Sequence, residues 1–151
     1  MKELLHFEDF SVGEALNFGN YLVSAEEIYE FAREFDPQPF HIDEKAAKTS
    51  LLGGLSASGW HVCAIMMRMI VDGYYGRTAS MGSTGIDEVK WLKPVRPGDR
   101  LSCRCTTLEA RISANRPEMG IVKMRYEVFD ATAEKKAEMT GINLIKLRRA
   151  Q

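Results

Sequence analysis

Gly53-Gly54-Leu55-Ser56-Ala57-Ser58-Gly59, running into Trp60-His61-Val62-Cys63-Ala64-Ile65-Met66-Met67-Arg68-Met69-Ile70-Val71-Asp72-Gly73, is the stretch whose reading decides the fold. Its second part is the most apolar segment of the chain, apolar almost all round when wound as a helix, which predicts a central, buried helix over residues 60–73. Arg68 breaks the run far short of the roughly 20 residues that a membrane span needs. The first part is a run of small residues, suited to a tight approach to that helix start.

Downstream of the helix the period of the pattern changes. Residues 84–94, 100–112, 120–131 and 137–147 read as four strands, separated by turn-like segments at 96–99, 113–119 and 132–136. The third is the clearest, with Val122, Met124, Tyr126 and Val128 on one face and Lys123, Arg125 and Glu127 on the other. Upstream, residues 7–22 alternate loosely around Gly13 and Gly19, which suggests a short strand or hairpin. Ser24-Ala25-Glu26-Glu27 is a capping box, and Ile28, Phe31, Ala32 and Phe35 follow at the spacing of one apolar helix face. Pro37 ends that helix, because the residue before a proline is pushed out of the helical region. A second short helix is expected over residues 43–50, with Asp43 as its N-cap.

One buried helix with a run of antiparallel strands is an α+β layout, the sheet wrapped around the helix. Such a unit leaves a sheet edge and an apolar face uncovered, and a homodimer, or a higher oligomer of dimers, is the expected remedy.

At 151 residues the chain reads as a single domain over 1–151, long enough to bury roughly 70% of its unfolded surface without disulfides or metal. A net charge of −1 and the lack of a basic stripe argue against a nucleic-acid partner. The first residues, Met1 to Glu8, lack the apolar centre of a signal peptide, so a cytoplasmic protein is expected. Cys63, Cys103 and Cys105 make an odd count with no second pair to complete a zinc site, and they read as buried free thiols. The methionines, Met66, Met67 and Met69 among them, read as core filler.

The chemistry sits just before the long helix. Phe35-Asp36-Pro37-Gln38-Pro39-Phe40-His41 sets a carboxylate and an imidazole five residues apart on a loop stiffened by two prolines. Phe35 and Phe40 flank the pair and are expected to dry it, shifting pKa values toward neutrality. Asp36 also reads as a helix cap and His41 as a residue that only precedes a helix. Eighteen residues after His41 comes Gly59, where the first N–H groups of the helix have no internal partner. Packing alone also explains a glycine there. Ser58, Trp60 and His61 adjoin it as candidate substrate contacts, with His61 also readable as a core or interface residue. Trp91 is a further candidate for the pocket wall, and Lys93, Arg96 and Arg116 are candidates to meet a phosphate.

The segment Asp36-Pro37-Gln38-Pro39-Phe40-His41 resembles the hydratase motif of the MaoC-like acyl dehydratases, the (R)-specific enoyl-CoA hydratase group: aspartate, any residue, asparagine, proline, an apolar residue, histidine. Gln38 stands at the asparagine position, Gly59 at the family's helix-start glycine, and Met67 near a position that carries serine in the hydratases. The resemblance runs over nearly the whole chain, with residues 24–75 carrying most of it. It implies a single hotdog domain, with Asp36 and His41 as the acid/base pair and the Gly59 N–H on the thioester oxygen. Phe40, Ser58, Trp60 and His61 would then meet the substrate. The implied reaction is reversible hydration of a 2-enoyl thioester, on coenzyme A or an acyl carrier, to the 3-hydroxyacyl thioester, with no metal and no cofactor. A hotdog thioesterase and a non-catalytic acyl-thioester binding protein are the alternatives.

Overall fold

The structure, a computed structural model, describes residues 2–149. Five antiparallel strands form one sheet: β1 (Ala15–Leu22), β2 (Ser80–Trp91), β3 (Arg100–Ile112), β4 (Met119–Phe129) and β5 (Lys135–Lys146). They lie in the order β1-β3-β4-β5-β2, so β1 and β2 are the edges. Between β1 and β2 run four helices, α1 (Ala25–Phe35), α2 (Pro39–Ile42), α3 (Glu44–Lys48) and α4 (Gly59–Gly73).

Helix α4 lies in the curve of the sheet. Its Val62, Ile65, Met66, Met69 and Ile70 are buried against the inward face, where β4 contributes Val122, Met124, Tyr126 and Val128. The alternation read from the sequence of β4 is therefore the alternation of the core. Cys103 and Cys105 of β3 face the same core, and burial pushes both thiols up to about 12. They are packing groups, whereas Cys63 on α4 is only half-buried. Among the described residues no helix is long and apolar enough to cross a membrane.

Three expectations need correction. Helix α4 is not buried all round, since Trp60, Met67 and Val71 are exposed on its outer face. Of the strand or hairpin suggested for residues 7–22, the strand forms: a turn of 3-10 helix (Phe7–Asp9) precedes β1, which pairs with β3. Strand β2 starts at Ser80, four residues before the expected start. Its pairing with β5 slips near Gly82 and Gly85, which sit at φ 108° and 146°, and those bulges erase the period-2 signal. Finally, His41 stands on a single turn of helix, α2, rather than on a loop. Pro39 is its first residue, where a proline's fixed φ and missing N–H suit a helix start.

Candidate active site

Two caps and one irregular segment build the site. The Ser24 capping box forms as read, with Glu27 N–H donating to Ser24 Oγ at 3.2 Å, and it starts α1. That helix ends at Asp36, whose N–H still reaches the Ala32 carbonyl (2.9 Å) while its backbone has left helical geometry at φ −150°, ψ 65°. The carboxylate is thereby mounted on the end of a helix, with Pro37 preventing continuation.

Both oxygens of that carboxylate are held. Gln38 Nε2 donates to Oδ1 at 2.6 Å, and the fully buried Ser58 hydroxyl donates to Oδ2 at 2.7 Å. Burial pushes the Asp36 pKa up, but the hydrogen bonds from Ser58 and Gln38 and the nearby His41 ring outweigh it, so the carboxyl stays below the ordinary aspartate range. Gln38 thus supplies an amide donor to the aspartate from the position where the hydratase motif has asparagine.

His41 is buried, and its Nδ1 lies 2.8 Å from the Ser56 carbonyl. A carbonyl only accepts, so Nδ1–H is the donor and Nε2 faces the aspartate, 3.5 Å from Oδ2. The Phe40 ring stands edge-on to the imidazole at 4.6 Å. Phe35 does not dry the pair: it is two-thirds exposed and packs on Phe31.

Gly59 is the first residue of α4, with Ser58 as N-cap. A Cβ at this glycine would stand 2.4 Å from Trp91 Cε2, so the absence of a side chain lets the indole lie over the helix start. Trp91 Nε1–H in turn donates to the Gly59 carbonyl at 2.9 Å, and Trp60 meets Trp91 edge-on at 5.4 Å. A cavity of about 750 Å³ opens among these groups. Asp36, Phe40, His41, Gly59, Trp60 and Trp91 line it, with an apolar wall from Leu51, Leu52, Val62 and Val95 and with Lys93 and Lys136 also contributing.

Other expected contacts fall elsewhere. His61 does not line the cavity. Its Nε2–H donates to Glu27 Oε1 at 3.2 Å and its ring stacks on Phe31 at 4.7 Å, so it joins α4 to α1. Burial lowers its pKa against the opposing pull of Glu27. Ser58 gives its hydroxyl to Asp36 and is fully buried, outside the lining of the cavity. Of the three candidate phosphate cations only Lys93 reaches the cavity, since Arg116 pairs with Glu118 and the Arg96 guanidinium turns to main-chain carbonyls. The Ser56 carbonyl was not legible, because a main-chain acceptor leaves no residue-type signal.

Residues 9–128 match the family described as MaoC like domain. The chain belongs to the MaoC-like family. Among solved structures, a MaoC-like dehydratase from Rhodospirillum rubrum is 38% identical, with a TM-score of 0.86 over 96% of this chain and 99% of that one. An uncharacterised protein of Bacillus subtilis (strain 168), YdeM, is 31% identical over 83% of this chain and 88% of its own length. An (R)-hydratase from Pseudomonas aeruginosa shares the hotdog fold at 18% identity, with a TM-score of 0.73 over 97% of this chain and 88% of that one. A MaoC-like hotdog domain thus frames the Asp36–His41 cavity.

Proposed function

We propose that this MaoC-like protein is an enoyl-thioester hydratase/dehydratase, with Asp36 and His41 as its catalytic pair. One observation carries the reading: an ionised carboxylate and an imidazole Nε2 lie 3.5 Å apart in a cavity also lined by the first residue of α4. The gap is too long for a strong direct hydrogen bond, so both atoms remain available to one shared water. The α4 N-terminal amides have no partner within the helix and carry the positive end of its dipole. They suit the thioester oxygen, where negative charge develops as water attacks C3.

In this mechanism the Gly59 N–H polarises the carbonyl. His41 Nε2 takes a proton from water as the hydroxyl oxygen bonds to C3, and the electrons of the double bond move onto the thioester oxygen. The imidazolium forms beside the Asp36 carboxylate, which stabilises it and has oriented the water. Nε2 then returns the proton to C2, closing the addition of one water. Phe40 and Trp60 border the acyl group. Gln38, bonded to Oδ1, orients the aspartate.

The chain is further proposed to work as a homodimer. Edge strand β2 is exposed over nearly its whole length. It adjoins the exposed face of α4, since Trp60 meets Trp91 at one end while Met67 and Ile86 share a small cavity at the other. A second copy would cover both the open edge and the apolar face.

The test is loss of the enoyl absorbance of crotonyl-CoA, run beside Asp36→Asn and His41→Ala proteins. Each substitution is expected to cut kcat by roughly 10²-fold or more with folding intact. Wild-type rates in either variant would sink the assignment, and thiol release from a saturated acyl-CoA would indicate thioester hydrolysis instead.

A further inference from the structure

The segment over residues 52–59 holds the site together, yet it has almost no regular structure of its own before α4 begins. It supplies the Ser56 carbonyl that takes the Nδ1–H of His41, the Ser58 hydroxyl that holds Asp36, and the Gly59 amide. An irregular chain keeps three such groups in place only when something outside it fixes its shape.

Two fixtures reach it, both from the turn between β2 and β3. The Val95 carbonyl accepts the Ala57 N–H at 2.9 Å. The guanidinium of the next residue, Arg96, donates to the Leu55 carbonyl at 3.3 Å and to the Leu52 carbonyl. Both carbonyls lie more than 40 residues from Arg96 in the sequence. Arg96 is itself aimed by its own N–H, which donates to Asp99 Oδ2 at 2.8 Å. The segment bends around this side chain. Gly53 and Gly54 both have positive φ, 69° and 158°, and a Cβ on Gly54 would stand 3.1 Å from Arg96 Nη1. Glycine at 54 therefore serves both the backbone path and the close approach of the guanidinium. The planar fork of arginine spans two carbonyls, which a lysine ammonium on a flexible stem does less well.

We propose that Arg96 is a positioning residue of the active site: its guanidinium pins the main chain at Leu52 and Leu55, so that the Ser56 carbonyl fixes the His41 ring. The kinetic part of this assignment rests on the hydratase reading above, whereas the structural part does not. Arg96 touches neither the reacting pair nor the cavity, and its effect passes through Leu55 and Ser56 to His41.

The experiment pairs ¹⁵N NMR of the imidazoles with crotonyl-CoA kinetics in the wild type, Arg96→Met and Arg96→Lys. The His41 signals are assigned by their loss in His41→Ala, since only three histidines are present. The wild type is expected to show His41 fixed as the Nδ1–H tautomer, and Arg96→Met to show signals averaged between tautomers. In Arg96→Met kcat should fall by about 10²-fold with KM changed much less, as misplacement by about an ångström does. Arg96→Lys should recover part of both effects. If Arg96→Met fails to fold, the lysine variant carries the test through partial averaging. A fixed His41 tautomer in both variants overturns the proposal whatever the activity does, as does a loss confined to KM. Should the wild type leave crotonyl-CoA unchanged, the hydratase reading is what has failed, and the NMR signals still decide the role of Arg96.

Discussion

Removing one hydroxyl at Ser58 should move the titration of a carboxylate 22 residues away in the sequence. Ser58 is fully buried, and its Oγ–H donates to Asp36 Oδ2 at 2.7 Å. A hydrogen bond to an ionised group contributes about 1.5–3 kcal/mol. Gln38 still holds Oδ1 in the variant, so the lower end applies, and Ser58→Ala should cost about 1.5 kcal/mol. Most of that loss falls on the ionised form, so the Asp36 pKa should rise from its lowered value toward the ordinary aspartate range. The sign follows from the lowered wild-type value: Asp36 stabilises the fold above its unfolded pKa, and that contribution is lost as pH falls through its folded pKa. Ser58→Ala should therefore lose its stability increment at a higher pH than the wild type does. At pH 7 the Tm should fall by about 3–6 °C for a chain of this size. The deficit should shrink as pH drops through the carboxylate range. Carboxyl ¹³C NMR against pH reads the titration directly, and differential scanning calorimetry from pH 3.5 to 8 reads the stability. An unshifted Asp36 titration, or a Tm deficit of equal size at every pH, would refute the claim that Ser58 supports the ionised carboxylate.

Other substitutions probe the neighbouring contacts. Gly59→Ala places a methyl 2.4 Å from Trp91 Cε2, so the indole must move and lose its bond to the Gly59 carbonyl; a cost of about 1–3 kcal/mol is expected in chemical denaturation, partly recovered by adding Trp91→Leu. Ile86→Lys on the exposed edge of β2 should shift sedimentation from a dimer to the 17.0 kDa monomer, and an unshifted boundary would place the interface elsewhere. His61→Leu removes a donor to the Glu27 carboxylate, which keeps the donors Tyr21 and Ser24, so a loss of about 1–2 kcal/mol is expected by calorimetry near pH 8. Burial lowers the His61 pKa below its ordinary value of 6.5, so the unfolded chain takes up the proton first as pH falls. The wild type then loses stability below about pH 6.5 while the leucine variant does not, and the gap between them should narrow.

What the sequence disclosed followed from how local each signal is. The capping box at Ser24 and Glu27, the alternation of Val122 to Val128 and the apolar run of α4 are patterns completed within a few residues, and each appears in the structure. The start of β2 was read four residues late because bulges at Gly82 and Gly85 interrupt its period, while a sheet edge imposes little burial pattern to replace it. His61 takes the second of its two readings, a packing contact between helices, for a related reason. Its position next to the helix start put it near Gly59 along the chain, but three residues of helix turn a side chain away from the cap toward α1.

The site shows the same division between what is local and what the fold brings together. Asp36 and His41 were legible because they fall five residues apart on one proline-marked segment. The groups that hold them, Ser56 O and Ser58 Oγ, come from a segment 15 to 22 residues further on. The side chain that holds that segment, Arg96, comes from 41 to 44 residues beyond it again. Each step outward from the reacting atoms lengthens the sequence separation and exchanges a characteristic residue type for a main-chain carbonyl or an ordinary arginine. The motif therefore records the proposed catalytic pair, whereas the fold supplies the tautomer of His41 and the ionisation of Asp36. The same reasoning bears on Gln38. A longer amide at the asparagine position still reaches Asp36 Oδ1, because α1 ends at Asp36 and the turn before α2 sets the distance. Shortening Gln38 to Asn without altering that turn should therefore weaken the site rather than improve it.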